Sequence, residues 1–223
     1  MIETEQKNYK TIIITGSSRG LGASIAKEAC KRNYMYYGIS RFSDIDVGKY
    51  EDVKKYFENL KLTIHGYELD CPVALINNAG VCKVGNILEM SCHDWQEQIN
   101  VNLNGVFYCC KEYIKLCKEF NIKGKIINIA STAGTGARPG RACYSATKSA
   151  VINFSFSLAE ELKDYGIKVY CVAPGAFDSV LRREIYPDDN FESMIKKEEI
   201  SRFIMDIVDN GEFLDNQLIF IRK

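Results

Sequence analysis

The chain has no excess of charge of either sign: Lys and Arg together number 29, Asp and Glu 29, and the formal net charge is zero. Proteins that track a nucleic-acid backbone carry a clear basic surplus, so no nucleic-acid partner is expected. No apolar run approaches the ~18 residues that a membrane-crossing helix needs, and no membrane partner is expected either. The opening MIETEQKNYKTIIITG sets acidic residues ahead of a short apolar run, unlike a secretory leader, and the expectation is a cytoplasmic protein. Histidine is scarce. His65 and His93 have no ligand-like spacing and there is no CxxC pair, so no metal is expected. Proline is also scarce, with 4 residues. Cysteine is not: Cys30, Cys71, Cys82, Cys92, Cys109, Cys110, Cys117, Cys143 and Cys171 make nine. Their number is odd and most lie inside apolar periodic segments, which reads as reduced, buried small hydrophobes rather than a disulfide framework.

What the chain does have is alternation. Short β-branched runs at residues 11–15 (TIIIT), 36–40, 43–47, 73–77 (VALIN), 125–130 (KIINIA), 168–172 and about 217–221 are predicted strands. Helical patterns cover 20–32, 52–62, about 92–120, 143–165 and an insertion after Pro174; in the second of these Val53, Tyr56, Phe57 and Leu60 share one face. Strands apolar throughout and separated by helices argue for an α/β protein with a parallel sheet covered on both faces. No repeat, linker or low-complexity tract divides residues 1–223, which read as one domain large enough for a single core. One irregularity stands out. Only Arg41 and Phe42 separate the second and third predicted strands, whereas a parallel crossover needs a dozen residues or more. Either the third strand is very short and reached by a tight loop, or the assignment there is out of register.

TIIITGSSRGLG places Gly16, Gly20 and Gly22 between the first strand and the first helix. Glycines there let the backbone turn tightly and approach a pyrophosphate at the helix N-terminus; the competing reading is a glycine-rich turn without a ligand. A site that prefers NAD places an acid at the end of strand two to meet the ribose hydroxyls. Here that end reads GISRF, with Ser40, Arg41 and no acid, and Arg19 lies in the first loop. Two guanidiniums without a carboxylate suit the 2′-phosphate of NADP(H); the alternative is two solvated arginines. Asp46 and Val47 are placed to close over an adenine, Asp46 accepting from its exocyclic amine.

Ser131 ends a strand in INIASTAG, Tyr144 follows thirteen residues later in YSATK, and Lys148 is one helical turn beyond it. An ammonium beside a phenol favours the ionised phenol. A tyrosine so tuned can give a proton to a carbonyl oxygen as hydride arrives, or take one from an alcohol, while a serine hydroxyl bonds the same oxygen. Alone, a Tyr–Lys pair at this spacing is also what an ordinary helix surface shows.

Taken together, TGSSRGLG, Asp46–Val47, NNAG (77–80), NVNLNG around Asn102, INIAS, YSATK and VAPG (172–175) stand in an order that resembles the short-chain dehydrogenases/reductases, over roughly residues 10–220. In its core the sequence looks similar to the 3-oxoacyl-carrier-protein reductase branch. The resemblance implies a three-layer Rossmann fold with a doubly wound parallel sheet, here shortened between strands two and three, and an NADP-dependent enzyme acting on a small carbonyl or alcohol. It implies Tyr144 as acid/base, Lys148 as ribose ligand and tuner of Tyr144, Ser131 as substrate-orienting hydroxyl, and Asn102 as holder of a water that links Lys148 to solvent. Gly16, Ser18, Arg19, Gly20, Leu21, Gly22, Ser40, Arg41, Asp46, Val47, Asn78, Ala79, Gly80, Pro174, Gly175 and Ser179 would complete the cofactor site. It also implies a homodimer or homotetramer in which Phe107, Phe154 and Phe156 meet partners.

Substrate choice would fall to a loop at about 176–200, where Phe177, Leu181, Ile185 and Tyr186 make an apolar lid and Arg182 and Arg183 either meet an anion or are solvated. Relatives in the reductase branch carry arginines for docking the carrier protein at positions that align roughly with Ile122 and Tyr165, which argues against that substrate. Lys123, Lys125 and Lys163 stand close enough to substitute.

Overall fold

The structure is a computed structural model that describes residues 10–67, 69–214 and 218–222. Its centre is a sheet of six strands: β1 (Thr11–Thr15), β2 (Met35–Ile39), β3 (Ala74–Asn77), β4 (Lys125–Ile129), β5 (Lys168–Pro174) and β6 (Leu218–Ile221). All pairings are parallel, in the order β2-β1-β3-β4-β5-β6. Among the described residues the helices are α1 (Gly20–Lys31), α2 (Tyr50–Tyr67), α3 (Cys92–Ile99), α4 (Gly105–Glu119), α5 (Ala142–Glu161), α6 (Val180–Ile185) and α7 (Lys197–Asn210).

The strands are apolar on both faces because both faces are covered. Side chains alternate along a strand, so Ile12 and Ile14 of β1, with Tyr170 and Val172 of β5, pack beneath α1 and α7. Ile13, Val169 and Cys171 face the other way, into a cluster with Phe57 of α2, Tyr113 of α4 and Val151 of α5. Each such fully buried large side chain contributes about 1.5–3 kcal/mol of transfer free energy. Six of the nine cysteines are buried and all nine are free thiols, as the absence of a disulfide pattern suggested. At the centre, Asn77 Nδ2 donates to Asn128 Oδ1 (2.8 Å) and Asn128 Nδ2 to Ser155 Oγ (2.9 Å), so a buried polar chain joins β3, β4 and α5.

The third strand expected at 43–47 does not exist. The chain leaves β2 through a 3-10 turn, Arg41–Ser43, in which Ser43 Oγ accepts from Ser40 N (3.1 Å). Asp44 is left-handed (φ 53) and Asp46 Oδ1 caps Gly48 N (2.9 Å), so the backbone cannot extend. Ile45 and Val47 still turn inward onto the core, which produced the strand-like alternation. A single helix, α2, then carries the crossover to β3, and β2 is left as the sheet edge. Residues 63–67, beyond the helical pattern expected at 52–62, continue α2, anchored by Ile64 one turn after Leu60.

The region at 92–120 is helical but not uniform. A π-helical turn, Asn100–Asn104, separates α3 from α4 and brings Asn102 into the interior. The doubly wound order puts a crevice at the carboxyl ends of β1 and β3, where the helices diverge to opposite faces. No helix among the described residues is long and apolar enough to cross a membrane.

Candidate active site

The crevice begins at the glycine turn. Gly16 (φ +67) and Gly20 (φ +59) hold a backbone conformation that other residues rarely adopt. Gly22, in the first turn of α1, lies against Gly16 O and Asn78 Nδ2 so closely that a Cβ could not fit. No side chain caps the N-terminus of α1, and its first turn carries no acid. Its free N–H groups and the open space above Gly20 fit an anionic phosphate bridge. Thr15 Oγ1 accepts from Asn78 N and Ala79 N (both 2.9 Å), and Asn78 Nδ2 donates to Thr15 O (3.0 Å), which pins the 78–80 segment across the cleft floor.

A cavity of about 900 Å³ runs from this loop to the lid. Its wall contains every residue expected of the cofactor site except Gly22, which lies behind it. At one end Ser40, Arg41, Asp46 and Val47 face the cleft; Arg41 has no acidic partner among the described residues, whereas Arg19 lies 3.6 Å from Glu184 on α6. Ser179 also lines it, with its hydroxyl accepting from Arg182 N (3.1 Å) as the cap of α6.

At the other end β4 and α5 bring Ser131, Tyr144 and Lys148 to one wall. Ser131 Oγ accepts from Ala133 N (3.1 Å), capping a 3-10 turn and leaving its proton free to donate. That turn packs on α5 through Gly134, where a Cβ would come within 2.7 Å of the Lys148 carbonyl carbon. Lys148 is 4% exposed, and its Nζ donates to Ile129 O (2.8 Å) and lies 5.8 Å from the centre of the Tyr144 ring. Burial lowers the Lys148 ammonium to about 8, with the Cys171 and Cys82 thiols opposing. Burial pushes the Tyr144 phenol up to about 12; Cys82 adds to the rise, while the hydrogen bond with Ser131 and the charge of Arg141 oppose it. Desolvation, not Lys148, therefore dominates the phenol in the free protein.

Asn102 is the one expected catalytic residue that does not line the cavity. Its Nδ2 donates to Val81 O (2.8 Å) and Thr147 Oγ1 (3.2 Å), and its Oδ1 accepts from Val81 N (2.8 Å). Only one lone pair of Oδ1 is left for the water expected there. Gly80 lies between the two groups: a Cβ built on it would be 3.4 Å from Asn102 Oδ1 and 3.8 Å from Lys148 Nζ.

Phe177, Leu181, Ile185 and Tyr186, expected to form the lid, all line the cavity. The paired arginines part company. Arg183 turns away to form a bidentate pair with Asp178 (2.7 and 3.0 Å), while Arg182 faces the cavity and lies 2.7 Å from Asp189. Sequence reasoning missed Cys82, Glu97, Arg138 and Arg141 on the same wall. Arg141 stands three residues ahead of Tyr144, at the N-cap of α5.

A parallel sheet with a glycine-lined phosphate cleft and a serine, tyrosine and lysine at its carboxyl edge defines a dinucleotide-binding oxidoreductase that acts on CH–OH or carbonyl groups. Residues 39–190 match the short chain dehydrogenase family, and the chain belongs to it. Among curated relatives it is similar to the 3-oxoacyl-[acyl-carrier-protein] reductase FabG of Chlamydia trachomatis serovar D, at 30% identity over 205 residues, covering 82% of this chain and 79% of the relative. Among solved structures it is similar to ElxO with NADP bound, with a TM-score of 0.84, 26% identity and coverage of 96% of this chain and 97% of that one. It is also similar to 4-hydroxyisoleucine dehydrogenase complexed with NADH, with a TM-score of 0.83, 25% identity and coverage of 96% and 97%.

Proposed function

We propose that this protein is an NADP(H)-dependent ketoreductase. The observation that carries the reading is the convergence of Ser131, Tyr144 and Lys148 on one wall of a cavity whose other end is a phosphate cradle. A bound nicotinamide would supply or accept the hydride at the substrate carbon. The chain's own part is protonic and electrostatic. Ser131 orients the carbonyl oxygen with the proton its capping role leaves free, and Tyr144 donates its phenolic proton to that oxygen as charge develops there. Burial raises the phenol to about 12, so it carries the proton it would donate at neutral pH. Lys148 holds the ribose hydroxyls once it turns from Ile129 O, and Asn102 acts as a positioning residue that fixes Val81 and Thr147 on either side of it.

The unpaired Arg41, with no acid at the end of β2, favours NADPH over NADH, and Arg19 joins it when released from Glu184. Losing one charge-assisted contact costs about 1.5–3 kcal/mol. Arg41→Ala is accordingly expected to lower the NADPH/NADH ratio of kcat/KM by about ten-fold or more; an unchanged ratio would remove the cofactor argument. ElxO, solved with NADP, agrees with this preference, whereas 4-hydroxyisoleucine dehydrogenase, solved with NADH, shows that the fold serves either nucleotide.

NADPH oxidation across a panel of ketones tests the activity itself. Tight NADPH binding without turnover of any carbonyl would instead favour a catalytically silent nucleotide-binding protein. The assembly proposed is a homodimer or homotetramer, since Phe107 and Phe156 are exposed on α4 and α5 with Phe107 stacked edge-on to Phe154 (6.5 Å). A monomeric mass by light scattering at micromolar concentration would refute it.

A further inference from the structure

The charges on the cavity wall do not cancel. Glu97 is occupied by Lys83 (3.6 Å), and Asp189 neutralises Arg182. Asp46 belongs to the adenine end, its Oδ1 held by Gly48 N. Arg138 and Arg141, which also line the cavity, pair with no carboxylate among the described residues. Arg138 makes only a hydrogen bond to its neighbour's carbonyl, Ala137 O (2.7 Å). Arg141 is fixed differently. Its Nε donates to the Tyr186 hydroxyl (2.9 Å) and its guanidinium carbon lies 4.8 Å over the Tyr186 ring, so the group is oriented by the lid. That leaves its terminal Nη amines as an unspent fork. Arg141 also precedes a helix whose first turn carries no acid, so the α5 dipole adds to the positive potential.

We propose that Arg141, assisted by Arg138, is the substrate's anion clamp, and that the substrate is a short oxo or hydroxy acid whose free carboxylate lies beside the reacting carbon. A preoriented guanidinium in a partly desolvated wall needs a planar, singly charged partner, and a carboxylate matches that fork. The apolar lid of Phe177, Leu181 and Ile185 suits a short aliphatic body better than a doubly charged, hydrated phosphate. A 3-oxoacyl thioester presents no anion at that position, so the clamp separates this protein's substrate from that of its curated relatives. The inference rests on the ketoreductase reading above.

The test uses stable matched pairs: 2-, 3- and 4-hydroxy acids of four to six carbons and their primary amides, oxidised with NADP+. In the wild type, kcat/KM for at least one acid is expected to exceed that of its amide by about ten-fold or more. Arg141→Gln is expected to lower that acid/amide ratio by about ten-fold, mainly through KM, and Arg141→Lys to restore part of it, with thermal unfolding confirming that both variants are folded. Equal or greater activity on every amide, or an unchanged ratio in Arg141→Gln, overturns the clamp while leaving the ketoreductase reading intact. No turnover of any pair also overturns the clamp, and the ketoreductase reading is then decided separately by NADPH oxidation with the ketone panel.

Discussion

Replacing Tyr144 by Phe is expected to reduce kcat for carbonyl reduction by about 10²–10⁴-fold, the range spanned by loss of a general acid. NADPH affinity should change by no more than about two-fold, because the substitution removes one hydroxyl and keeps the ring. The size of the effect follows from the lack of a substitute donor. Cys82 lies near enough to act on the phenol, but burial pushes its thiol up to about 11 and it is not held at the substrate oxygen by Ser131. Ser131 can donate a hydrogen bond but cannot lose its proton to the product alkoxide at neutral pH. Ser131→Ala should therefore be the milder lesion, about five-fold, in line with one lost hydrogen bond of about 1 kcal/mol. Steady-state reduction of the best ketone, together with fluorescence titration of NADPH, reads both quantities. Turnover by Tyr144→Phe within a factor of about three of wild type would remove tyrosine from the chemistry.

Tyr144 and Lys148 were legible because their relation is local: four residues on one helix place both side chains on one face, and no tertiary information is needed. The glycine turn was legible for the same reason, since a strand, three glycines and a helix make a self-contained unit. The strand expected at 43–47 failed where two physical causes produce one pattern. Ile45 and Val47 alternate with polar residues because a loop folds them inward, and period two alone cannot tell that from a half-buried strand. The end of α2 was missed because Leu62 is 68% exposed, which broke the apolar face before Ile64 resumed it. Arg141 was invisible in kind. Its importance depends on Tyr186, forty-five residues away, and on the absence of an acid from a wall built by several elements. An absence in space leaves no mark on a sequence. Asn102 shows the intermediate case: the residue was found, but its side chain proved to be engaged with Val81 and Thr147, because a π-helical turn rotates it inward.

Lys148 gives the second large effect, and its sign can be worked out. Its ammonium is lowered by burial from 10.5 to about 8, so the charged form dominates below that pH and is lost above it. If the ammonium holds the ribose hydroxyls, kcat/KM measured with NADPH as the varied substrate should be flat from pH 6 to about 7.5. Above about pH 8 it should fall, approaching ten-fold per pH unit, since this parameter reports groups of the free protein. Lys148→Arg keeps a charge that does not titrate in this range and should abolish the limb even if it lowers the plateau. Stability should move in the opposite direction. Between about pH 8 and 10.5 the unfolded chain binds a proton at this site that the folded chain has lost, so the contribution of Lys148 to stability rises with pH across that window and is constant below it. Tyr144 contributes with the reverse sign: its phenol is raised from 10.0 to about 12, so the folded state holds the extra proton and stability falls from about pH 10 to 12. Cysteines such as Cys82, Cys117 and Cys171, whose thiols burial raises from 9.0 to about 11, also pull stability down from about pH 9, so the lysine is read as the difference between the wild type and a variant that lacks it. Urea unfolding between pH 8 and 10 should show a more positive slope of stability against pH in the wild type than in Lys148→Met, which has no proton to lose. Parallel slopes in the two proteins, with a kinetic limb that persists in Lys148→Arg, would mean that the titrating group near pH 8 is not Lys148.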